Sequence, residues 1–247
     1  MATSFFGGKN IVVIGSARGI GFELVRQLSE QGSQYILAID RYESEDISKL
    51  VASVDNVKFA LADVRDNEAL KVRFFSDKST DKKNAAGHIY LVDCLLCVSG
   101  VLGSPSPLLN RPSSEPNPSE DILNVFAINV LGTFNGIYAF QSKMPSGGKI
   151  MLMSSTMASL ETATHSLNPA YSIAKAGVNM LGRKLAVELK DRDIDVILMS
   201  PGVVRTEMNN GQGDISTQQS VEGILRELTR SGTSGTFLRY DGQGWPW

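Results

Sequence analysis

The stretch that decides the fold of this chain is Gly15-Ser16-Ala17-Arg18-Gly19-Ile20-Gly21. It follows an apolar, strand-like run at residues 10–15 and begins a helical pattern at residues 19–31. Glycines at this spacing let backbone amides approach an anion, and the helix that follows offers its positive end. A glycine cluster alone also fits a tight turn without a ligand. Its position between a first strand and a first helix favours a pyrophosphate-binding loop.

Strand-like apolar runs alternate with helical patterns along nearly the whole chain. The predicted strands cover residues 10–15, 35–40, 57–61, 91–98, 149–154, 194–200 and 235–238, and the clearest further helices cover 121–143 and 170–190. Apolar strands joined by helical crossovers are typical of a parallel sheet covered on both faces. We therefore predict an α/β fold with a Rossmann-type, doubly wound parallel sheet of about seven strands, in a single domain spanning residues 1–247. Residues 76–87 and 102–119 are predicted loops.

The composition narrows the range of partners. The 247 residues carry a net charge of −2 and are 42% apolar, which is typical of a globular protein with a core. A charge so close to zero argues against nucleic acid or an anionic membrane as the main partner. We expect no apolar stretch of transmembrane length, and the N-terminus lacks the pattern of a signal peptide. The sequence therefore predicts a cytoplasmic protein.

Cys94 and Cys97 form a CxxC pattern, which occurs in redox and metal sites. Both lie in the predicted strand at residues 91–98, where residues three apart point to opposite faces. Two such thiols could neither form a disulfide nor share a metal, so we interpret them as structural core residues. His88 and His165 have no nearby partner ligands in the sequence and are expected in loops. No metal site is predicted.

A second motif is Tyr171-Ser172-Ile173-Ala174-Lys175, inside the predicted helix at residues 170–190. Side chains four residues apart leave the same face of a helix, about one turn from each other. A nearby ammonium favours the ionised form of a phenol, whose ordinary pKa is about 10. The spacing therefore predicts a tyrosine that exchanges protons near neutral pH. A solvated polar pair is the alternative that the spacing alone leaves open.

The residues around Asp40 bear on the identity of a bound dinucleotide. Asp40 ends the second predicted strand, where in folds of this kind an acidic residue accepts hydrogen bonds from the adenosine ribose. Its carboxylate would repel the additional phosphate of NADP, whereas the guanidinium groups of Arg18 and Arg41 would attract it. Because Asp40 holds the discriminating position, we expect a slight preference for NAD(H), with NADP(H) nearly as well accepted.

Further motifs follow in a fixed order along the chain. Asp63-Val64 follows the third strand, Asn129 lies in the long fourth helix, Ser154-Ser155 ends the fifth strand, and Pro201-Gly202-Val203-Val204-Arg205-Thr206 follows the sixth. Together with the glycine loop, Tyr171 and Lys175, this order resembles the short-chain dehydrogenase/reductase family along nearly the whole chain. The ending, from Phe237-Leu238-Arg239-Tyr240-Asp241-Gly242 to Trp245-Pro246-Trp247, is similar to that of the small carbonyl-reductase-like members.

The resemblance implies an NAD(P)(H)-dependent oxidoreductase that transfers a hydride between nicotinamide and a carbonyl or alcohol, and favours a ketone or aldehyde reductase. Tyr171 would be the general acid in reduction, and Lys175 would lower its pKa and hold the nicotinamide ribose. Ser155, preferred over Ser154, would hydrogen-bond the substrate oxygen, and Asn129 would help to hold a water chain. The implied cofactor contacts are Gly15, Ser16, Arg18, Gly19, Ile20, Gly21, Asp40, Arg41, Asp63, Val64, Gly100, Tyr171, Lys175, Pro201, Gly202, Val204 and Thr206.

Three features depart from the family pattern, one of them a spacing from Ser155 to Tyr171 that is a few residues longer than the commonest one. Ile14 stands where a threonine usually precedes the first glycine, and Cys97-Val98-Ser99-Gly100 stands where Asn-Asn-Ala-Gly is usual. These departures leave a second hypothesis, a dinucleotide-binding sensor or scaffold with little turnover. Intact Ser155, Tyr171 and Lys175 favour the enzyme, because a binding protein needs no such trio.

Substrate choice is expected to depend on the loops at residues 102–119, 159–168 and 207–215. The last loop occupies the position of the family's substrate lid. It is short and contains Gly211 and Gly213, which predicts an open pocket that admits a bulky substrate. The faces at residues 132–140 and 177–185 carry small and apolar residues, compatible with the homo-oligomer that the resemblance implies through the fourth and fifth helices.

Overall fold

A single parallel sheet contains all the strands of residues 4–75 and 91–247, the part of the chain that the computed structural model describes. The strands are β1 Asn10–Ile14, β2 Tyr35–Asp40, β3 Val57–Leu61, β4 Cys94–Cys97, β5 Lys149–Met153, β6 Asp195–Ser200 and β7 Phe237–Arg239. Their order is β3-β2-β1-β4-β5-β6-β7, and every neighbouring pair is parallel. The predicted α/β fold with a seven-stranded parallel sheet is confirmed.

The strand bounds agree closely with the sequence prediction, except at β4 and β7. The prediction for β4 covered residues 91–98, but the strand is Cys94–Cys97. Cys97 pairs with Ile14, the last residue of β1, so the ladder ends where its partner strand ends. The last strand, β7, begins two residues later than the predicted start at residue 235.

Helices cover both faces of the sheet. They are α1 Gly19–Glu30, α2 Glu45–Ser53, α3 Asn67–Phe75, α4 Pro118–Phe126, α5 Gly132–Phe140, α6 Pro169–Glu188 and α7 Thr217–Leu228. The predicted helix at residues 121–143 is confirmed as a helical run, within which a π-helical segment, Ala127–Leu131, lies between α4 and α5. Wide turns of this kind inside a helix are frequent at functional sites. This segment carries Asn129, a predicted site residue.

The helical run Pro118–Lys143 corrects one expectation from the sequence. Its length of 26 residues and its mean hydropathy of 1.4 would allow a helix to cross a membrane. Several of its side chains are instead packed in the protein core, among them Val125, Val130, Ile137 and Phe140. This burial accounts for part of the apolar composition of the run, 44% of which is buried in its most apolar window.

The two cysteines lie on opposite faces of the sheet, as the strand spacing predicted. Cys97 belongs to the hydrophobic cluster on one face and Cys94 to the cluster on the other. Both thiols are free, and burial raises the pKa of each to about 12. They are core residues. His165 lies exposed in a loop, whereas His88 and the predicted loop at residues 76–87 lie outside the described residues.

The loop at residues 102–119 is held by an ion pair that the sequence did not reveal. The Arg111 guanidinium lies 3.0 Å from Asp121 Oδ2, with both side chains at most 5% exposed. The Ser104 amide donates to the same carboxylate, and Arg111 also donates to the Pro116 carbonyl oxygen at 3.1 Å. The chain therefore crosses the top of the sheet in a fixed path despite its lack of periodicity.

Candidate active site

A cleft of about 300 Å³ runs along the carboxyl ends of the strands, where parallel sheets bind their ligands. Most of the predicted site residues line it: Gly15, Arg18, Gly19, Ile20, Gly21, Asp40, Arg41, Asp63, Val64, Gly100, Ser155, Tyr171, Lys175, Pro201, Gly202, Val204 and Thr206. Ser16 and Asn129 are the two exceptions. Both are fully buried and lie outside the wall of the cleft.

The glycine loop is shaped by two close backbone approaches. A Cβ atom on Gly15 would lie 2.5 Å from the Ser99 amide nitrogen, and Gly15 has a φ of +92°. A Cβ atom on Gly21 would lie 1.8 Å from the Gly15 carbonyl oxygen. A side chain at Gly15 would collide with the turn that follows β4, and one at Gly21 would push α1 away from the end of β1. Gly21 therefore lets the start of α1 lie close against the end of its strand.

The start of α1 fits a phosphate group. Its N-cap residue, Arg18, makes no side-chain cap, and its first turn carries no acidic residue. The hydroxyls of Ser16 and Ser99, beside this turn, are buried without a hydrogen-bond partner among the described residues. Backbone amides at a helix start bind anions, and buried hydroxyls without partners are rare. These features match a dinucleotide whose pyrophosphate would lie over the loop.

Charged residues form pairs at the end of the cleft near β2. Asp40 accepts hydrogen bonds from the backbone amides of Ala17 at 2.9 Å and Arg41 at 2.7 Å. Its carboxylate thereby ties β2 to the glycine loop. Arg18 forms an ion pair with Glu207, from the segment that follows β6. Arg18 thus bridges the two sides of the cleft.

Asp63 lies beside this end of the cleft, after β3. Its carboxylate pairs with Arg65 at 2.7 Å, and the hydrogen bonds from Arg65 hold the pKa of Asp63 below its ordinary value. Val64 packs against Gly132 at the start of α5, where a Cβ atom would lie 2.5 Å from Val64 Cγ2. The wall near Asp63 is therefore fixed by both charge pairing and packing.

The predicted proton-transfer residues meet at the end of β5. Ser155 is hydrogen-bonded to Tyr171, and its Oγ also accepts from the Met157 amide at 3.2 Å. The neighbouring Ser154 is fully buried and donates to Asn179 Oδ1 at 2.6 Å. Only Ser155 of the two serines lines the cleft.

Lys175 lies below Tyr171, 98% buried and directed to the sheet. Its Nζ donates to the Met153 carbonyl oxygen at 2.7 Å and lies 5.5 Å from the centroid of the Tyr171 ring. Burial lowers the pKa of Lys175 to about 8. The ammonium is thus the titrating group with a pKa nearest to neutrality in the Ser155-Tyr171-Lys175 trio.

The Tyr171 phenol differs from the sequence prediction. Burial raises its pKa to about 12, and the hydrogen bond with Ser155 offsets only part of this rise. The prediction that Lys175 brings the pKa near neutrality is wrong for this structure, because loss of hydration outweighs every other influence on the phenol. At neutral pH, Tyr171 is therefore a protonated hydrogen-bond donor.

Asn129 acts on the backbone beside the cleft. Its Nδ2 donates to the Val101 carbonyl oxygen at 2.9 Å, and the Val101 amide donates to its Oδ1 at 2.8 Å. A Cβ atom on Gly100 would lie 3.2 Å from the same Oδ1 and 3.5 Å from Lys175 Nζ. Asn129 therefore fixes the turn that follows β4, next to Lys175.

The lid at residues 207–215 is a short turn that is bound to the segment after β6. The Arg205 amide donates to the Ile215 carbonyl oxygen at 3.0 Å, and the Asp214 amide donates to the Val203 carbonyl oxygen at 2.8 Å. Asn209 Nδ2 donates to the Val204 carbonyl oxygen at 2.9 Å. Glu207, Met208 and Asn209 line the cleft, whereas Gly211 has no atom within 4 Å of a Cβ position. The lid borders the cleft along one edge only.

Sequence reasoning missed several residues of the cleft wall: Tyr42, Arg65, Ser99, Val101, Ile128, Met153, Thr156, Met157 and Val203. Tyr42 could have been found, because it directly follows Arg41 at the end of β2. The loops at residues 102–119 and 207–215 contribute as predicted, but the loop at residues 159–168 contributes no residue to the wall.

Comparison with known proteins identifies the protein family of this chain. A model of the short chain dehydrogenase family matches residues 9–216. The fold and the site thus define a dinucleotide-dependent oxidoreductase, and the chain belongs to the short-chain dehydrogenase family. It is an NAD(P)-dependent enzyme that transfers a hydride between nicotinamide and a carbonyl or alcohol. The predicted family is confirmed.

Individual relatives are distant in sequence. The chain is 29% identical over 204 residues to the short-chain dehydrogenase/reductase atnB of Arthrinium sp, covering 79% of this chain and 74% of the relative. It is 30% identical over 208 residues to the 2,3-dihydro-2,3-dihydroxybenzoate dehydrogenase of Bacillus subtilis, covering 81% and 72%. Its fold is similar to NADPH-bound carbonyl reductase from chicken fatty liver, with a TM-score of 0.84, 20% identity and coverage of 100% and 97%.

Proposed function

We propose that this enzyme works as a reductase of ketones or aldehydes. The observation that carries the proposal is the meeting of Ser155, Tyr171 and Lys175 at the wall of the cleft, with Lys175 Nζ 5.5 Å from the centroid of the Tyr171 ring. Reduction of a carbonyl needs a proton donor at the substrate oxygen, and a phenol that keeps its proton at neutral pH meets this need.

Each residue of the trio has a separate task in this proposal. A bound reduced nicotinamide supplies the hydride to the carbonyl carbon. The Ser155 hydroxyl donates a hydrogen bond to the carbonyl oxygen and stabilises the negative charge that develops there. Tyr171 transfers its phenolic proton to the same oxygen. The buried Lys175 ammonium, 5.5 Å from the ring centroid, stabilises the phenolate that remains.

The cleft favours an apolar substrate of some bulk. Its apolar wall includes Val101, Leu102, Ile128, Met157 and Met208. Methionine side chains adapt to ligands of irregular shape. The lid borders the cleft along one edge, which supports the prediction of an open pocket. The similarity of the fold to carbonyl reductases is consistent with this substrate class.

For the cofactor, we propose a small preference for NAD(H) over NADP(H). The proposal is supported by the presence of Asp40 at the cleft, because a carboxylate there would accept hydrogen bonds from ribose hydroxyls and repel a 2′-phosphate. The attraction of Arg18 for a phosphate is offset by its ion pair with Glu207. Arg41 is exposed and opposes the preference, so we expect both cofactors to support turnover.

The test is oxidation of NADH and NADPH by the purified protein with a panel of apolar ketones and aldehydes. Tyr171→Phe is expected to lose roughly a hundredfold or more in kcat/KM. Tyr35→Phe, which changes a tyrosine at the start of β2 and outside the cleft wall, is the matched control and should retain activity. Equal activity of Tyr171→Phe and the native enzyme would overturn the proposal. Binding of dinucleotide without turnover of any carbonyl would favour the sensor or scaffold hypothesis instead.

We propose further that the chain acts as one domain and assembles with copies of itself through the faces at residues 132–140 and 177–185. One sheet contains all the described strands, which supports the single domain. Phe134, Tyr138 and Met180 are each at least 40% exposed on these faces. Light scattering should detect an oligomer, and Phe134→Glu should shift it to monomer; a monomeric native protein contradicts the assembly.

The two free cysteines support a cytoplasmic location.

A further inference from the structure

The end of the cleft beside β2 is unusual in its balance of charge. Basic and acidic side chains occur there in equal number: Arg18, Arg41, Arg65, Asp40, Asp63 and Glu207. Two of the basic residues are already paired, Arg65 with Asp63 and Arg18 with Glu207. A site that selects a phosphate dianion is expected to leave its guanidinium groups free for the ligand. At this end of the cleft, two of the three guanidinium groups are instead paired with carboxylates of the protein.

Packing between two segments brings Arg18 and Glu207 together. A Cβ atom on Gly19 would lie 3.5 Å from Thr206 Cγ2, so the glycine loop rests on the start of the lid. Arg18 precedes Gly19, and Glu207 follows Thr206. The lid start is itself fixed, because the Gly211 amide donates to the Thr206 carbonyl oxygen at 2.8 Å. The ion pair therefore follows from the contact of two held segments.

Glu207 also lies within electrostatic range of the residues that would meet the adenosine ribose. The Arg18 guanidinium carbon is 6.0 Å from the centroid of the Tyr42 ring. Burial raises the pKa of the Tyr42 phenol, and the charges of Arg18, Asp40, Glu207 and Arg41 all act on the same phenol. The Glu207 carboxylate thus shares one local environment with Asp40 and Arg41.

We propose that Glu207 is a specificity-determining residue that disfavours NADP(H) by occupying Arg18. A 2′-phosphate that binds Arg18 must displace the Glu207 carboxylate and then remain close to its negative charge. NAD(H) has a hydroxyl at this position and leaves the ion pair intact. Both side chains are more than half exposed, so the effect is modest, about three- to tenfold in affinity. This inference deepens the cofactor preference proposed above and rests on it.

Calorimetric titration of the purified protein with two adenosine fragments tests the inference without any turnover. The probes are adenosine 2′,5′-bisphosphate, which carries the 2′-phosphate, and adenosine 5′-monophosphate, which lacks it. Glu207→Gln should bind the bisphosphate about three- to tenfold more tightly and bind the monophosphate nearly unchanged. Glu188→Gln removes the same charge at the far end of α6 and should change neither affinity.

A second pair of variants separates the ion pair from a general effect of charge. In an Arg18→Met background, Glu207→Gln should give at most a twofold gain for the bisphosphate, because no guanidinium is left to release. A full gain in that background, an equal gain for both fragments, or no gain at all would each overturn the inference. These outcomes do not depend on carbonyl reduction. A failure of the activity test therefore remains distinct from a failure here.

Discussion

The side-chain amide of Asn129 and the backbone of Val101 exchange two hydrogen bonds, of 2.9 and 2.8 Å, across the turn that follows β4. The amide reaches this turn from a π-helical segment, whose wider turn lies within the helical run that the sequence predicts. Gly100, which directly precedes Val101, lies against both Asn129 and Lys175. The turn beside Lys175 therefore depends on two hydrogen bonds from Asn129, a residue outside the cleft wall.

Replacing Asn129 tests this dependence. Asn129→Ala leaves a backbone donor and acceptor of Val101 unpaired and should reduce the free energy of unfolding by about 1–3 kcal/mol. Asn135→Ala is the control, because it removes only one bond, from Nδ2 to the Val64 carbonyl oxygen. Denaturant unfolding measures both variants. A loss for Asn129→Ala no larger than for the control would contradict the importance of the pair.

Alanine variants of the two serines at the end of β5 should differ in effect, one lowering activity and the other lowering stability. Ser155→Ala is expected to lower kcat for carbonyl reduction roughly a hundredfold, because the developing charge loses a donor. Ser154→Ala leaves the buried Asn179 amide without a partner and should instead cost about 1–3 kcal/mol of stability, with a small effect on kcat. Steady-state kinetics and thermal unfolding of both variants provide the comparison. Equal kinetic losses would place the catalytic hydroxyl elsewhere.

The pH dependence of reduction should follow Lys175. Its pKa is about 8, below the ordinary value for lysine, so the ammonium is present at neutral pH and is lost as the pH rises through 8. Tyr171, with a pKa of about 12, keeps its proton over the same range. We expect kcat/KM to fall about tenfold per pH unit above the Lys175 pKa.

Lys175→Arg provides the matched variant for the pH profile. Guanidinium keeps its proton throughout the accessible range, so the fall near pH 8 should disappear in whatever activity this variant retains. An unchanged fall in Lys175→Arg would assign the titration to another group. The profile should be measured at saturating cofactor, so that changes in cofactor binding do not contribute.

Ile14 and Gly136 form a complementary pair below the glycine loop. A Cβ atom on Gly136 would lie 2.6 Å from Ile14 Cδ1, and Ile14 is 1% exposed. Gly136→Ala should therefore destabilise the protein by about 1–3 kcal/mol through overpacking. Ile14→Val removes the clashing methyl group, so the double variant should recover most of the loss. Strict additivity of the two changes would show that the contact is unimportant.

The parts of the fold that follow local patterns were predictable from the sequence. The bounds of β2 and β3 agree with the structure because short apolar runs between turn residues define them. The glycine loop and the positions of Ser155, Tyr171 and Lys175 at the cleft follow from their order along a doubly wound sheet. The packing role of Ile14 was not predictable. The sequence shows that Ile14 replaces a threonine, but it does not show that Gly136 faces Ile14 in the fold.

Features that depend on burial or on distant segments were not predictable. The pKa of Tyr171 is raised because the surrounding fold removes water from the phenol, which the spacing to Lys175 cannot reveal. The pairing of Arg18 with Glu207 joins residues 189 positions apart. The Arg111 and Asp121 pair likewise gives a fixed path to a loop whose composition indicates only irregular structure.

Because Cys94 and Cys97 lie on opposite faces of the sheet, their thiols can report separately on local unfolding at each face. The sheet separates the thiols, and each lies under a different layer of helices. They are the two cysteines of the chain and both are buried, so an alkylating reagent can reach them only when the covering layer moves away. Labelling rates at the two positions, resolved by mass spectrometry, would therefore measure separately how often each layer of the enzyme detaches from the sheet.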